Sequence, residues 1–557
     1  MPSDALVSPR AAVSVPSARR RFLHALFALA ATRCVSAESE FGGVLGDLLS
    51  LKLKHPTWTP DLGLLRQAWR ELAARAAALA PTASRGSLAE LLRQTGKLYT
   101  WQTWNCEYLD AEFWLDVCAA NYALNAERAQ RDSVAYRAAA YSHLSRALHR
   151  MAVRQPVRDP AAAFAHFRTF VPPQPDLSQW TPLAREWTVL WGDLHIHSAL
   201  SYDAFLGPTH CYRFAREVLG FDFAALTDHA FYFGHARHPF FRASMDEMFG
   251  FVRDAATAHA RAEDFATLLG IEWEGRFGQG HRHLLFDPAT PPRGSYAVTR
   301  PDTNSIGRLW QVLAADGVCA LTIAHHTGFV ENSMGNDLLQ HDVRFERLIE
   351  IASDNGMFES PGDAVPQTAG ARVPAGRSVR DAFKRGHRLG IVGGSDGHMG
   401  VPGLYIPRVT GFGGAPGFTA VYARGRRAAD IFEALQARRC YATDGQRIGL
   451  WFALNGAPMG SELTITVDTE QRIEIVVMAA DKVAEVVLYN HDILVQRWHP
   501  RTTRFDTRWT VVGDVSRADR MATANASKRR SEAWRVVVSQ TNGRRAWSSP
   551  IWVDYGV

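Results

Sequence analysis

Histidines and carboxylates are concentrated in the middle of the sequence. The chain has 21 histidines, and 14 of them fall in the 204 residues from His195 to His398. An even distribution would place about eight there. Most of these histidines stand in short motifs that also contain aspartate or glutamate. The motifs and their isolated partners are, in chain order, His195-Ile196-His197, Asp203, Thr227-Asp228-His229, Gly270-Ile271-Glu272, His281-Arg282-His283, Ala324-His325-His326, Glu350, and Ser395-Asp396-Gly397-His398.

This combination of residue types predicts a metal centre that performs hydrolysis. Imidazole and carboxylate ligands without thiolate suit zinc, manganese or iron. About nine such groups exceed what one ion needs, so we expect two or three divalent ions. Clustered ions lower the pKa of a bridging water, so a metal-bridged hydroxide is expected to attack a phosphorus or carbonyl centre. A separate nucleophilic side chain is not needed for this mechanism.

Most of these motifs lie where a predicted strand ends. The predicted strands are 187–190, 223–226, 267–270, 283–286, 319–323, 348–351 and 389–392. They alternate with helical stretches, which is the pattern of a parallel β/α domain. Side chains at i and i+2 of a strand share a face, so His195 and His197 can reach one ion. In a closed barrel the last strand neighbours the first, which would place Asp396 and His398 beside them.

The regions on either side differ from the middle in composition and in the spacing of their apolar residues. Residues 17–170 are rich in alanine, and their apolar residues recur at spacings of three and four, which predicts helices such as 64–80, 87–98 and 108–126. The aromatic run 99–104 is interpreted as a helix–helix contact or as a wall of the substrate pocket. After about residue 449, six short apolar runs predict an antiparallel β-sandwich. The predicted domains are therefore 1–170 (helical), 171–448 (metal-dependent hydrolase) and 449–557 (sandwich).

Composition excludes several classes of partner. The net charge of +6 is small for 557 residues. The sequence has no run of lysine and arginine with interleaved aromatics, so binding to nucleic acid is not predicted. No apolar run approaches the roughly 20 residues of an integral membrane segment. The six cysteines are scattered, without the spacing of a disulfide framework or a thiolate zinc site. We expect a small-molecule ester as the substrate, and a homo-oligomer is compatible with the sequence.

The N-terminus has two interpretations. Arg19-Arg20-Arg21 precedes an apolar run to Ala31 and resembles a twin-arginine export signal. The alternative is a first amphipathic helix capped by Ser17. Arg33 stands in the would-be cleavage region and favours the helix, so we prefer a cytoplasmic location over export to the periplasm.

The motifs, in this order, resemble those of the polymerase-and-histidinol-phosphatase (PHP) superfamily. The resemblance implies an α/β fold with a distorted (β/α)7 barrel that holds up to three metals. The implied ligands are His195, His197, Glu272 and Asp396 for the first ion; Glu272, His281 and either His325 or His326 for the second; and Asp203, His229 and His398 for the third. The ligand is His325 if the motif is aligned on the preceding Ala324, and His326 if it is aligned on the following Gly328. Asp228 and Glu350 are candidate catalytic residues that would act by orienting the ligands.

Further motifs resemble the DUF3604 family, a PHP-related group. They include Arg438-Arg439-Cys440-Tyr441-Ala442-Thr443-Asp444-Gly445 and Leu454-Asn455-Gly456-Ala457-Pro458-Met459-Gly460. The resemblance covers about residues 185–557 and leaves out the helical N-terminal part.

Three functions follow as hypotheses. A phosphoesterase is favoured because the superfamily resemblance points there. A hydrolase of carbamates or carboxylic esters would use the same centre with an apolar, aromatic pocket. The aromatic residues at 231–233 and 240–241 favour the second hypothesis, whereas Arg237 and Arg282 keep phosphate recognition open. A non-catalytic metal-binding scaffold is the third hypothesis, and the full set of ligands argues against it.

Overall fold

A computed structural model describes most of the chain. It covers residues 62–555 apart from residues 82, 105–108, 130–132, 155–158, 178–186, 231–242, 262–263, 276–278, 330–333, 367–369, 467 and 513–530. The export motif, the aromatic residues at 231–241 and Arg237 lie outside the described residues.

The N-terminal region is helical, as its apolar periodicity predicts. Its helices are α1 (Leu62–Ala78), α2 (Arg85–Thr103), α3 (Ala111–Ala129), α4 (Ser133–Val153) and α5 (Pro160–Arg168). Local capping fixes where two of them begin. The Ser84 hydroxyl accepts a hydrogen bond from the Ser87 amide before α2, and Asp159 caps α5 beside Pro160 at its first position. None of the described helices is both long and apolar enough to cross a bilayer.

Aromatic side chains hold these helices together. The ring of Tyr99 in α2 stacks on that of Trp114 in α3 with centroids 4.9 Å apart. The Trp69 Nε1 atom of α1 donates to the Gln102 side chain of α2 at 2.8 Å. At Tyr99 and Gln102, the run 99–104 therefore makes helix–helix contacts.

A large mixed sheet follows the helical region. Its first strands are β1 (Thr188–Ile196), β2 (Phe223–Leu226), β3 (Ala266–Glu274), β4 (His281–Phe286), β5 (Ala320–Ala324), β6 (Leu348–Ser353), β7 (Gly356–Met357) and β8 (Gly390–Gly393). The connecting helices are α6 (Pro208–Glu217), α7 (Met245–His259), α8 (Ile306–Ala315) and α9 (Val379–Lys384). The predicted mixture of strands and helices is thus confirmed as a mixed α/β architecture.

The expectation of a purely parallel sheet is wrong at β4. Strands β1, β2 and β3 pair in parallel, as do β5, β6 and β8, but β4 runs antiparallel to both β3 and β5. Only residues 275–280 separate β3 from β4, whereas a parallel crossover needs about a dozen residues or more. The reversal has a consequence for chemistry. The beginning of β4, which carries His281, lies at the same edge as the end of β3, which carries Glu272.

The segment that follows β8 lies against the end of β1. The Asp396 amide donates to the His195 carbonyl at 2.8 Å, and the His197 amide donates to the Gly397 carbonyl at 3.2 Å. On its other side, β1 pairs antiparallel with β9 (Gly417–Ala423). The first and last motifs of the sequence are therefore adjacent in space.

The C-terminal strands continue the same sheet. After α10 (Ala428–Gln436) come β10 (Cys440–Asp444), β11 (Ile448–Leu454), β12 (Ala457–Pro458), β13 (Glu462–Ile465), β14 (Glu470–Ala479), β15 (Val483–Asn490), β16 (Ile493–Trp498), β17 (Arg504–Val512), β18 (Ser531–Gln540), β19 (Arg545–Ser548) and β20 (Ile551–Tyr555). Strand β10 pairs with both β9 and β19, which links these strands to β1 in a sheet of 16 described strands. Strands β11, β12, β14 and β17 form a second sheet. Hydrogen bonds thus cross the predicted boundary at residue 448.

A buried carboxylate fastens the C-terminal strands to the segment after β7. Glu359 accepts hydrogen bonds from Arg535 of β18 at 3.3 Å and from Trp547 Nε1 of β19 at 2.9 Å. Arg380 of α9 donates to the same carboxylate at 3.2 Å. Burial raises the pKa of Glu359, but the charge of Arg535 contributes to a net shift below the ordinary value. The carboxylate is therefore ionised and compensates a buried guanidinium.

We expect Glu359→Gln to lower the free energy of unfolding by about 3–5 kcal/mol, because it removes the nearer of the two carboxylates that compensate the buried Arg535 and leaves only Asp492 at 4.0 Å. Urea unfolding followed by tryptophan fluorescence measures this change. The matched control is Glu485→Gln, which breaks a partly exposed pair with Arg497 at 3.1 Å and should cost less than about 1 kcal/mol. Equal effects of the two substitutions would contradict the role given to Glu359.

Candidate metal centre

Four side chains from three strand ends meet in one buried group. His195 and His197 come from the end of β1, Glu272 from β3 and Asp396 from the segment after β8. The Asp396 Oδ1 atom lies 3.0 Å from His195 Nε2 and 3.2 Å from His197 Nε2. The Glu272 Oε2 atom lies 3.1 Å from His197 Nε2 and 3.8 Å from His195 Nε2. We call these four residues the first group.

Three of the atoms that face one another in the first group have no hydrogen-bond partner. Among the described residues, none forms a hydrogen bond of normal geometry with Nε2 of His195, Nε2 of His197 or Oε2 of Glu272. Buried polar atoms are almost always hydrogen-bonded, so three such atoms in one place require an explanation. Ligands around a single ion have this arrangement, because each lies about 2.0–2.2 Å from the ion and about 3 Å from the next ligand. The first group therefore fits a divalent cation.

A second group shares Glu272. The other carboxylate oxygen, Oε1, lies 2.8 Å from His281 Nδ1 and 2.8 Å from His325 Nε2. Donor atoms of Glu272, His281, His325 and His326 all lie within 4.8 Å of one another. The two oxygens of Glu272 thus face two groups, as a bridging carboxylate would. Both His325 and His326 belong to the second group, so the choice between them stays open.

A third group lies on the open side of the first. Asp203 Oδ1 is 3.5 Å from His229 Nε2 and 3.6 Å from His398 Nε2. The ring of His197 stacks on that of His398 with centroids 4.1 Å apart, which joins the third group to the first. The Asp203 side chain is 40% exposed, whereas those of the first group are at most 6% exposed. Solvent therefore reaches the centre from the side of Asp203.

Glu350 orients a first-group histidine directly. Its Oε2 atom lies 2.9 Å from His195 Nδ1, so the other ring nitrogen is free to face Asp396 and Glu272. Burial raises the pKa of Glu350 to about 7, although the neighbouring His195 opposes that shift. This carboxylate–histidine arrangement is typical of metal-binding histidines.

Asp228 acts through an intermediate residue. Its Oδ1 atom accepts hydrogen bonds from the Ser198 amide at 2.8 Å and from the Ser201 hydroxyl at 2.7 Å. The Ser201 oxygen lies 3.0 Å from His197 Nδ1. Asp228 therefore fixes the turn after β1, and Ser201 transmits that constraint to His197.

Charge balances differ among the buried histidines. Burial lowers the pKa of His195, but the charges of Asp396 and Glu350 outweigh it and raise the pKa well above its ordinary value. Burial also lowers the pKa of His326, and the neighbouring His325 reinforces it, so this pKa lies well below its ordinary value. The carboxylates therefore attract positive charge to the first group, while the ring of His326 stays neutral with a lone pair available for a metal.

The backbone is strained at two of these positions. Asp396 has a φ of 56° and His326 a φ of 31°, a region that residues other than glycine rarely occupy. Such conformations cost about 1–3 kcal/mol each and are concentrated at functional sites. Close approach also explains Gly394, where a Cβ atom would lie 2.3 Å from the Cβ of His195.

Two residues that the sequence interpretation left out lie in the centre. His283 is 1% exposed and its ring stacks on His325 with centroids 4.1 Å apart. Glu274 contacts Nδ1 of His229, which also lies 3.3 Å from Oε2 of Glu272. The signal was present in both cases, because His283 stands two residues after His281 and Glu274 two residues after Glu272. The same alternation turns Arg282 to the opposite face of β4.

The comparisons with known proteins give distant relatives. No family model matches the chain. An uncharacterized protein of Chlamydia trachomatis serovar D is 30% identical over 220 residues, which are 38% of this chain and 35% of that protein. An uncharacterized protein of Chlamydia muridarum is 25% identical over 379 residues, 66% of this chain and 57% of that protein. The chain thus spans about a third to just over half of the length of these curated relatives.

One solved structure is similar over much of the chain. It is a two-domain protein from Bacteroides vulgatus that contains a predicted PHP-like metal-dependent phosphoesterase. The two chains are 17% identical with a TM-score of 0.35, and the match covers 67% of this chain and 93% of the other. Function is therefore argued from the residues of the site itself.

We expect Glu350→Gln to weaken the binding of Mn²⁺ or Zn²⁺ on the order of 10- to 100-fold, because the amide no longer supports His195 as the carboxylate does. Calorimetric titration of metal-free protein measures the affinity. Glu346→Gln is the matched control, because Glu346 is equally buried but bonds Arg282 at 2.7 Å. If both variants bound metal like the wild type, Glu350 would have no part in the centre.

Proposed function

We propose that this protein is a metal-dependent hydrolase and that phosphoesters are its substrates. The observation that carries the proposal is the convergence of buried histidine nitrogens and carboxylate oxygens at one edge of the sheet. Three of these atoms, Nε2 of His195, Nε2 of His197 and Oε2 of Glu272, have no hydrogen-bond partner among the described residues. The proposed ligands are His195, His197, Glu272 and Asp396 for a first ion; Glu272, His281 and His325 or His326 for a second; and Asp203, His229 and His398 for a third. Zinc, manganese and iron all fit these ligands.

Divalent ions bound here would lower the pKa of a water molecule and so supply a nucleophile near neutral pH. The residues of the chain fix the geometry. Glu272 presents one oxygen to each of two groups, Glu350 holds the ring of His195, and Glu274 contacts the ring of His229. Asp203 borders the open side, from which a substrate would enter.

Two considerations favour phosphoesters. The order of the motifs is similar to that of the PHP superfamily, whose name includes a phosphatase. Two or three divalent cations also offset the negative charge that a phosphoryl group carries and develops during transfer.

A carbamate or carboxylic ester is the second candidate, and the surroundings of the site favour it. Arg282, which the sequence offered for phosphate recognition, bonds the buried Glu346 on the opposite face of β4. Aromatic rings lie nearer to the third group. Tyr202 stacks on His229 at 5.1 Å, and Phe412 meets His398 edge-on at 5.3 Å. Rings at this position suit an apolar or aryl leaving group.

We also propose the finer architecture. The contact between the end of β1 and the segment after β8 supports a distorted (β/α)7 barrel within 171–448. The two sheets after β10 support a β-sandwich within 449–557, joined to the barrel through β19. The helical domain would then occupy 1–170.

We expect His195→Ala to abolish turnover while the fold persists, because the substitution removes a ligand from the first group but leaves every sheet hydrogen bond intact. Turnover is measured as hydrolysis of aryl phosphates, aryl carbamates and aryl carboxylic esters by metal-loaded protein, and circular dichroism checks the fold. The control is His499→Ala, whose ring bonds the Ala484 carbonyl at the surface and should leave activity unchanged. Near-normal activity of His195→Ala would contradict the proposed site.

The substrate class is tested by one screen on metal-loaded protein. Aryl phosphates, aryl carbamates and aryl carboxylic esters are assayed side by side, and we expect the phosphates to be turned over. Turnover of carbamates or carboxylic esters alone would replace the first candidate by the second. Metal ions bound at these groups, with no turnover of any substrate, would leave the hypothesis of a non-catalytic metal-binding scaffold.

A further inference from the structure

The ligands of the third group stand on loops rather than on strands. Asp203 lies in the loop 199–206 after β1, which is closed by a hydrogen bond from the Ala199 amide to the Leu206 carbonyl at 2.7 Å. His398 lies in the loop 396–400 after β8. The two loops are joined where the Phe205 amide donates to the His398 carbonyl at 2.9 Å. We call them the Asp203 loop and the His398 loop.

Helix α2 of the N-terminal region holds the Asp203 loop. The Lys97 ammonium, which is 1% exposed, donates to the carbonyl of Ala204 at 2.7 Å. The Leu206 amide donates to the Thr100 hydroxyl at 3.0 Å. Leu206 has a φ of 66°, a conformation that persists only where the surroundings enforce it. The hydrogen bond to the Thr100 hydroxyl helps to hold Leu206 in this conformation.

Close packing at Gly96 adds to these bonds. A Cβ atom at Gly96 would lie 2.4 Å from the ring of Phe205, so the glycine lets the Asp203 loop approach the helix backbone. Burial lowers the pKa of Lys97 to about 7, and the hydrogen bond to the loop offsets part of the cost of desolvating this side chain. Helix α2 and the Asp203 loop are therefore fitted to each other.

Helix α3 holds the His398 loop. The Trp114 Nε1 atom donates to the carbonyl of Met399 at 2.7 Å, one residue after His398. The Trp114 ring also meets the ring of Phe205 edge-on, with centroids 6.1 Å apart. Asn121 of the same helix lines a small cavity together with His398 and Phe412. One helical surface thus contacts both loops that carry third-group residues.

We propose that the helical N-terminal region completes the binding site of the third ion, with Thr100, Lys97 and Trp114 as positioning residues. The inference rests on the proposed function in that the third group binds an ion. The first and second groups stand on or beside strands whose hydrogen bonds fix them. Asp203 has no such support, and His398 has it only through the preceding Gly397, whose carbonyl accepts from the His197 amide. The helices add support by bonding the backbone that follows each ligand.

The test measures how many metal ions bind to the full chain and how tightly. Protein freed of metal with a chelator is titrated with Mn²⁺ by calorimetry, and bound metal is counted by mass spectrometry. Thr100→Val removes the acceptor of the Leu206 amide, and Trp114→Phe removes the donor to Met399. Each has a matched control inside the helical region. Thr95→Val removes a hydroxyl of the same helix that bonds only the Leu91 carbonyl, and Trp69→Phe removes the bond to Gln102.

We expect three ions in the wild type. Thr100→Val and Trp114→Phe should keep the two inner ions and bind the third about 10-fold more weakly. Thr100→Ser, which keeps the hydroxyl, should restore the third affinity, and both controls should bind all ions as the wild type does. This split between inner and outer affinity distinguishes positioning from a general loss of stability, which the melting temperature of each variant reports separately.

The inference is overturned if folded Thr100→Val and Trp114→Phe bind all three ions with wild-type affinity, or if the wild type binds two ions only. It is also overturned if the controls weaken the third ion as much as the test variants do. If the wild type bound no ions at the first and second groups, the proposed function itself would be refuted. Failure of this inference and failure of the proposed function are therefore distinguishable.

Discussion

The centre depends on one constraint, which is that Nε2 of His195, Nε2 of His197 and Oε2 of Glu272 are buried without a hydrogen-bonding partner among the described residues. Glu272 and Asp396 are almost fully buried, and oxygens of both face imidazole nitrogens 3.0 to 3.8 Å away. A buried polar atom that is left without a hydrogen bond costs about 1–3 kcal/mol. A divalent cation resolves the conflict, since it takes lone pairs from the carboxylates and from the imidazoles at once. The folded chain without metal therefore keeps polar atoms that no other group among the described residues satisfies.

The rest of the fold brings these atoms to one edge. Parallel pairing aligns the ends of β1 and β3, and the reversal of β4 places His281 at the edge that Glu272 occupies. Glu350 lies behind the ring of His195 and selects which of its nitrogens faces inward. The helical region and the C-terminal strands add support from two other sides. Trp114 reaches the backbone beside His398, and Glu359 binds β18 and β19 to the segment after β7.

The sequence predicted the parts of this arrangement that local patterns encode. The periodicity of α1 to α3 and the alternation of His195 and His197 are local, and the structure has them at these positions. The reversal at β4 was missed because the pattern of apolar residues does not state the direction of a strand, although the short connection does. The pairing of β10 with β19 joins residues about a hundred positions apart, which no local pattern encodes. His283 and Glu274 received no ligand role from the sequence, although each stands two residues after a proposed ligand and so shares its face of the strand. The ligand roles, the domain limits and the substrate class stay predictions.

Anomalous diffraction from crystals of the metal-loaded protein tests the central claim most directly. Data collected on both sides of the absorption edge of manganese or zinc locate each ion without reference to activity. The account predicts one peak between His195, His197, Glu272 and Asp396, and a second within about 4 Å of it on the other oxygen of Glu272. Ions bound only elsewhere, with the nitrogens of His195 and His197 satisfied by protein hydrogen bonds, would contradict it.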